Sequence, residues 1–196
     1  MKKIALLFLS VLCLQTIAQT ENEPKTLFGN GTKKNIQYVL NPYAELSALD
    51  DAELFSLGIR GGVNVNSKFT FGAYYLASLN DARPSNLENT PGYYDIRKAG
   101  AYFEYTLFSD RLVHFTFPLN IGYGEIQFDR DIEDISFGEE YFFAIEPSAL
   151  VEVNLLKYLK ANAGVGYRWV NDFNYMSVNA NDLRGVIGQI GLKAQF

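Results

Sequence analysis

Residues 159–169 read LKANAGVGYRW, a stretch in which two kinds of side chain alternate at every step. One kind is apolar or aromatic and comprises Leu159, Ala161, Ala163, Val165, Tyr167 and Trp169. The other is polar, charged or glycine and comprises Lys160, Asn162, Gly164, Gly166 and Arg168. A period of two residues places successive side chains on opposite faces of a β-strand. The stretch therefore predicts a strand with one apolar face and one polar face that is rich in glycine.

Seven further segments alternate in the same way, within residues 35–48, 55–66, 68–80, 98–107, 113–124, 143–155 and 185–196. The connections between them are alternately short and long. Short ones lie at residues 64–68, 109–112 and 156–158, and long polar ones at 80–92, 129–140 and 171–182, while the first, at Asp50 and Asp51, is brief. Bacterial outer-membrane barrels have short periplasmic turns and longer external loops. We predict an all-β fold, an antiparallel up-and-down eight-stranded transmembrane β-barrel over residues 35–196.

The composition of the polar face indicates which face lies inside. Alternation alone is shared by lipid-embedded barrels and soluble barrels such as lipocalins. The polar face holds most of the strand glycines, namely Gly58, Gly62, Gly72, Gly100, Gly122, Gly124, Gly164, Gly166, Gly185 and Gly191, whereas Gly61 and Gly188 are on the apolar face. Glycine weakens a strand exposed to water, but the narrow interior of an eight-stranded barrel needs small residues. We therefore expect the polar face to line the lumen and the apolar face to meet lipid.

Charges of both signs share that polar face. We predict a lumen charge network formed by Glu45, Arg60, Lys98, Glu104, Glu146, Glu152, Lys160, Arg168 and Lys193. A buried charge is costly unless it is paired, so the carboxylates are expected to face Arg or Lys on other strands. Glu146 and Glu152 are six residues apart on one strand, roughly 20 Å at the usual rise, which is too far for paired acid and base catalysis.

The first residues predict export. Residues 1–19 have a basic start, an apolar stretch and a small-residue cleavage site, as a signal peptide does. We expect residues 20–34 to form a periplasmic N-terminal tail. The single cysteine, Cys13, lies in the signal peptide, so the mature chain has no disulfide and no catalytic thiol. Removal of Lys2 and Lys3 changes the formal charge from −5 to −7, which argues against nucleic acid as a partner.

Aromatic residues cluster near the predicted strand ends on the apolar face. Phe69, Phe71, Phe115 and Phe117 lie toward the short turns, and Tyr167 and Trp169 toward the long loops. Aromatic girdles of this kind mark the two interfaces of a membrane. We expect the protein in the cell outer membrane, with outer-membrane lipids around it.

The C-terminal residues 191–196, GLKAQF, look like the terminal strand by which the barrel assembly machinery recognises its substrates, with Phe196 as the assembly signal. Over residues 35–196 the chain resembles the small OmpA/OmpX-type barrels. The stretches 145–147 (IEP), 152–154 (EVN) and 164–168 (GVGYR) resemble uncharacterised outer-membrane β-barrel proteins of Bacteroidetes. The resemblance implies a fold, a location and insertion by the assembly machinery. It implies no activity.

Few residues suggest chemistry. His114 is the only histidine, and its place beside a short turn predicts a lumen residue near the periplasmic end. We predict no catalytic residue, cofactor or metal site. The acidic loop is a candidate interaction surface or a merely solvated loop, and comprises Asp129, Asp131, Glu133, Asp134, Glu139 and Glu140. Further loop residues are expected to contact a partner or rest on lipid headgroups, namely Tyr93, Tyr94, Phe173, Tyr175 and Met176.

Four functional hypotheses remain open at this point. The preferred one is a non-enzymatic barrel with a side-chain-filled lumen and a structural or surface-interaction role. The others are a narrow channel or carrier for small solutes, a lipid-modifying outer-membrane enzyme that uses His114 or a carboxylate pair at the membrane edge, and a soluble periplasmic lipocalin-like binder.

Overall fold

The computed structural model describes residues 36–83, 92–129, 136–176 and 178–196. The chain forms β1 (Ile36–Leu49), β2 (Ala52–Val65), β3 (Phe69–Ser78), β4 (Tyr93–Leu107), β5 (Val113–Asp129), β6 (Ser136–Leu156), β7 (Leu159–Val170), β8 (Asn174–Tyr175), β9 (Val178–Asn179), α1 (Ala180–Leu183) and β10 (Gly185–Gln195). No helix in this part of the chain is long and apolar enough to cross a membrane. The predicted signal peptide and tail lie outside the described residues and stay predictions.

Eight of the strands form a closed antiparallel barrel, in which β1 to β7 follow one another and β10 joins β7 to β1. The seam between the first and last strands runs from Val39 opposite Gln195 to Leu46 opposite Gly188. At its end the backbones of Tyr38 and Phe196 exchange two hydrogen bonds of 2.7 and 3.0 Å. Closure satisfies the backbone groups that hydrocarbon would leave without partners. The predicted eight-stranded up-and-down barrel is confirmed.

The apolar face points outward over a band of membrane thickness. On β5 the outward side chains from Val113 to Tyr123 are all apolar or aromatic, and Tyr123 is 68% exposed. At a rise of about 3.3 Å per residue and a tilt of about 40°, this length gives a band of roughly 25 Å, the height of the lipid-facing belt in outer-membrane barrels. On β4 the band ends at Ala99, above which Arg97 points outward.

Three strands extend at least five residues further than predicted at the loop end of the barrel, the end that carries the long connections. β4 begins at Tyr93, β5 continues to Asp129 and β6 begins at Ser136. The long connection predicted over residues 129–140 is therefore wrong in extent, because only residues 130–135 lie between the two strands. The apolar and polar faces exchange sides above the band, where Ile126 and Phe142 point inward and Glu125 points outward. The pattern that predicted the strands, with apolar side chains facing outward, therefore ends where the two faces exchange sides.

Glycines allow the strands to approach one another closely inside the barrel. Gly62 lies opposite Gly72 on the β2–β3 pair, and Gly100 opposite Gly122 on the β4–β5 pair. A Cβ added at Gly62 would lie 2.2 Å from the carbonyl oxygen of Phe71. The neighbouring Gly61 points outward, and a Cβ there would have its nearest contact at 4.0 Å. The glycine bias of the inner face therefore reflects a steric limit of the narrow barrel.

Gly62→Ala is expected to destabilise the barrel by about 2–3 kcal/mol, because the added methyl group forces two backbones apart or strains them. Gly61→Ala adds the same methyl group one residue away, toward lipid, and is expected to change stability by less than about 0.5 kcal/mol. Urea unfolding of the detergent-solubilised protein, followed by loss of the compact band on unheated gels, measures both. Equal destabilisation by the two variants would contradict this account of the inner glycines.

Candidate functional site

The lumen contains two groups of ion pairs and, at the loop end, an apolar core. The first group, here the outer charge cluster, consists of Glu45 on β1, Lys98 on β4, Glu146 on β6 and Arg168 on β7. Lys98 Nζ lies 3.2 Å from Glu45 Oε1 and also contacts Glu146 Oε1. Arg168 Nε lies 2.7 Å from Glu146 Oε1, and its Nη2 contacts Glu45 Oε1. These buried side chains link four strands across the lumen.

The second group, the turn-side charge cluster, lies nearer the short turns and consists of Glu104, Glu152, Lys160 and Lys193. Lys193 Nζ lies 2.7 Å from Glu104 Oε1 and also contacts Glu152 Oε2. Lys160 Nζ lies 3.3 Å from Glu152 Oε1, and its side chain is 14% exposed at the turn end. This group joins β4, β6, β7 and β10, whereas the outer charge cluster joins β1, β4, β6 and β7, so the barrel is cross-linked at two levels.

His114 adds to the turn-side charge cluster from β5. Its Nε2 lies 2.9 Å from Glu152 Oε1, and its Nδ1 lies 3.2 Å from the carbonyl oxygen of Arg111. The side chain is fully buried. Within the described part of the chain, no serine hydroxyl hydrogen-bonds to this ring. The surroundings are those of a structural lumen residue and do not resemble a catalytic triad.

Arg60 lies between the two clusters and is bound differently. Its Nε donates to Asn120 Oδ1 at 3.2 Å, and its Nη2 donates to Gln189 Oε1 at 2.9 Å. The Gln189 amide in turn donates to Glu45 Oε2 at 2.9 Å. The guanidinium carbon lies 3.9 Å from the centre of the Tyr43 ring. From the sequence we expected an ion-pair role for Arg60 and did not identify Asn120 or Gln189 as its partners, because neutral amides on a polar face carry no distinguishing signal.

An apolar core, here the outer plug, fills the lumen at the loop end. It consists of Leu49, Leu54, Ala82, Tyr94, Ile96, Ile126, Phe128, Phe142, Ala144, Val170, Val178, Ala180 and Leu183, with Phe173 and Tyr175 packed against it. Phe142 stacks on Phe173 with ring centres 5.5 Å apart, and Tyr94 meets Phe128 at 5.2 Å. The outer plug resembles the hydrophobic core of a small water-soluble protein and lies above the lipid band.

The plug corrects the interpretation of one loop aromatic. Tyr94 is fully buried, so its assignment to partner or headgroup contacts is wrong. Phe173 and Tyr175 pack on the plug but stay half-exposed, and their assignment stays a prediction. Above the lipid band the surroundings are water, and apolar side chains are stabilised by pointing inward. Met176, in contrast, is 54% exposed.

The connection between β7 and β10 is fastened over the mouth of the barrel. Arg184 donates from Nε and Nη2 to the carbonyl oxygen of Val170 at 2.9 and 2.7 Å, and Nη2 also lies 2.7 Å from Asp172 Oδ1. Asn179 caps α1 by accepting from the backbone of Asn181 at 2.9 Å. The backbone of Asp50, in the β1–β2 turn, donates to the carbonyl oxygen of Asp182 at 2.8 Å. These bonds hold the connection against the first hairpin of the chain.

The proposed acidic interaction surface is mostly beyond what the structure describes. Asp131, Glu133 and Asp134 lie outside the described residues, and so do the side chains of Asp129 and Glu139. Glu140 is half-buried on β6, opposite Ile126 of β5. Residues 130–135 connect β5 to β6 in the sequence, and the strand ends that they follow and precede, Asp129 and Ser136, lie at the loop end.

Removing one cation of the outer charge cluster is expected to leave an uncompensated buried charge. Lys98→Met should destabilise the barrel by about 3–5 kcal/mol, and the double variant with Glu146→Gln should lose less than the two single losses added together. Urea unfolding in detergent gives all three values. As a control, Asp81→Asn removes one partner of an exposed pair with Arg83 and should cost less than about 0.5 kcal/mol. A Lys98→Met loss as small as that of the control would show that the cluster contributes little to stability.

No protein-family model and no curated protein sequence matches the chain. Several solved structures share its fold. Neisserial surface protein A is similar over 82% of this chain and 97% of its own, with 16% identity and a TM-score of 0.59. The outer membrane protein OprG of Pseudomonas aeruginosa is similar over 83% and 97%, with 11% identity and a TM-score of 0.53.

A major outer membrane protein of Thermus thermophilus is also similar, over 83% of this chain and 100% of its own, with 8% identity and a TM-score of 0.54. Similarity at such low sequence identity shows only that the folds are alike. The assignment of the chain to one subfamily of barrels stays a prediction. The closed topology, the lipid-facing band and these structural neighbours agree on class and location: the chain is a small eight-stranded β-barrel of the outer membrane.

Proposed function

We propose that the protein is a non-enzymatic barrel with a filled lumen, which anchors an extracellular surface that contacts a partner outside the cell. The observation that carries this proposal is the outer plug. It closes the loop end with apolar side chains, while two ion-paired clusters occupy the lumen below it. A lumen filled at three successive levels has no room for a hydrated solute.

The loop end favours a surface role. β5 and β6 continue about 15 Å beyond the lipid band, as estimated from the rise per residue and the strand tilt. Their outward side chains there include Glu125 and Gln127, and the acidic residues Asp131, Glu133 and Asp134 lie in the connection between them. The similar Neisserial protein is described as a surface protein. With an expected mature charge of −7, this surface suits a neutral or cationic partner.

A lipid-modifying activity is not favoured. His114, the only imidazole available to it, is fully buried at the turn end and held between Glu152 and the backbone of Arg111. The turn end of such barrels faces the periplasm, away from the outer leaflet. The buried ring has no route to an outer-leaflet lipid.

The filled lumen predicts that the full-length protein, inserted into planar bilayers, produces no steady ion conductance. Insertion is checked on the same preparation by the shift between heated and unheated gel bands. A constant conductance that scales with salt concentration would contradict the proposal and favour a narrow channel.

The acidic extracellular surface predicts binding to a cationic probe. Protein in nanodiscs of zwitterionic lipid should bind polylysine, and the triple variant Asp131→Asn, Glu133→Gln, Asp134→Asn should bind at least tenfold more weakly, because surface charge attracts its complement. The matched control removes three charges expected on the periplasmic side, with Glu21→Gln, Glu23→Gln and Asp110→Asn. Equal losses in the two variants would indicate a net-charge effect and contradict a localised surface.

A further inference from the structure

The outer wall of the barrel has a recess at the loop-end edge of the lipid band. Its volume is about 340 Å³, and side chains on β3, β4, β5 and β6 surround it. They include Tyr75, Arg97, Ala99, Tyr123, Glu125 and Tyr141. All six point outward, so the recess opens toward the membrane and not toward the lumen.

The part of the recess nearer the turns is apolar. Tyr75 and Tyr123 lie directly opposite Ala99 on the two neighbouring strands. The next outward residue of β4 toward the turns is again small, Ala101, and Ala73 lies opposite it on β3. Small side chains between larger rings leave a shallow channel along β4. The channel lies in the lipid band, at the depth of the acyl chains of the outer leaflet.

The part of the recess nearer the loops carries one charge of each sign. Arg97 is exposed on β4 and lies directly opposite Glu125 of β5, which has Tyr141 of β6 as its other neighbour across the sheet. Residues opposite one another in an antiparallel pair have Cβ atoms about 5 Å apart. In the part of the chain that the structure describes, no ion pair or side-chain hydrogen bond joins Arg97 or Glu125 to another residue. Both charges are therefore open to a ligand at the edge of the lipid.

The two neighbouring charges select the headgroup of that ligand. A purely anionic headgroup would be attracted by Arg97 and repelled by Glu125. A headgroup with a phosphate and a primary amine matches both, because guanidinium groups bind phosphate oxygens through paired charge-assisted hydrogen bonds and a carboxylate accepts from an ammonium group. The ring of Tyr141 beside Glu125 provides a further surface that attracts a cation.

We propose that the recess binds an outer-leaflet lipid whose headgroup carries a phosphate and a primary amine. The phosphate contacts Arg97, and the ammonium group lies between Glu125 and the Tyr141 ring. One acyl chain follows Ala99 and Ala101. The site goes beyond the proposed surface role and is independent of it, because it lies on the wall of the barrel and uses none of the acidic residues between β5 and β6.

The choice of lipid tests the headgroup. The full-length protein is placed in nanodiscs that contain phosphatidylethanolamine, phosphatidylglycerol and phosphatidylcholine in equal amounts and with identical acyl chains, and native mass spectrometry measures which lipid stays bound. We expect phosphatidylethanolamine to be retained about tenfold more than either of the others, the factor that one charge-assisted hydrogen bond supplies. Phosphatidylglycerol lacks the amine, and the methylated amine of phosphatidylcholine donates no hydrogen bond. Equal retention of the three lipids, or preferential retention of phosphatidylglycerol, would overturn the proposal.

Single substitutions test the two charges separately. Arg97→Met should lower the retention of phosphatidylethanolamine about tenfold, whereas Arg111→Met, which removes an exposed arginine at the turn end, should leave it unchanged. Glu125→Gln should abolish the preference for phosphatidylethanolamine over phosphatidylglycerol, whereas Glu53→Gln, at an exposed glutamate of β2, should keep it. Equal effects within either pair of variants would mean that net charge selects the lipid, and this would contradict the proposed site.

Filling the channel tests the acyl-chain contact. Ala99→Phe places a ring where the chain lies and should lower the retention of phosphatidylethanolamine, while Ala163→Phe adds the same ring to an outward position of β7 and should leave it unchanged. Both variants keep Arg97 and Glu125. Unchanged retention in Ala99→Phe would contradict the proposed site. The gel-band shift shows whether each variant is folded, and should one fail to fold, the comparison of the three lipids on the unaltered protein still decides.

Discussion

Closure of the sheet in hydrocarbon is the constraint on which the rest of this structure depends. Lipid offers no hydrogen bonds, so the seam between β1 and β10 must join the wall completely, and the outward side chains must be apolar. Polar side chains are thereby confined to the inside. Eight strands leave little volume there, so charged groups lie within contact distance of one another and must pair with groups of opposite charge. The glycine pairs and the ion pairs both follow from this confinement.

The strands could be predicted from the sequence only as far as the boundary of the lipid band. Within the band, alternation of period two predicted each of the eight strands, because lipid outside and a polar lumen inside impose one pattern on all of them. Above the band, Ile96 and Phe142 point inward and Arg97 and Tyr141 outward. The period continues but the faces exchange roles, and the ends of β4, β5 and β6 therefore looked like loop. The signal that would have revealed the plug is an alternating segment in which the apolar side chains change from one face of the strand to the other partway along.

The lumen shows a second limit of prediction from sequence. Alternation identified which charged side chains point inward, and the structure places all nine of them there. It could not identify the pairs, because partners such as Lys98 and Glu45 meet across the barrel from strands that are not neighbours. Which residues share a level depends on the stagger between strands. No local pattern reports that stagger, so nothing distinguished Arg60, bound by amides, from Arg168, bound by two carboxylates.

The fastening of the β7–β10 connection relates the end of the chain to its beginning. Asp182 bonds the β1–β2 turn, Leu183 enters the plug, and two residues later β10 starts to pair with β7. A barrel that lacks its last strand would thus have neither a complete wall nor a covered mouth, and Glu45 would lose the Gln189 amide. The last 26 residues, 171–196, therefore contribute to the wall, the cover and the lumen network together. Loss of this segment would open the barrel along its side and at its mouth.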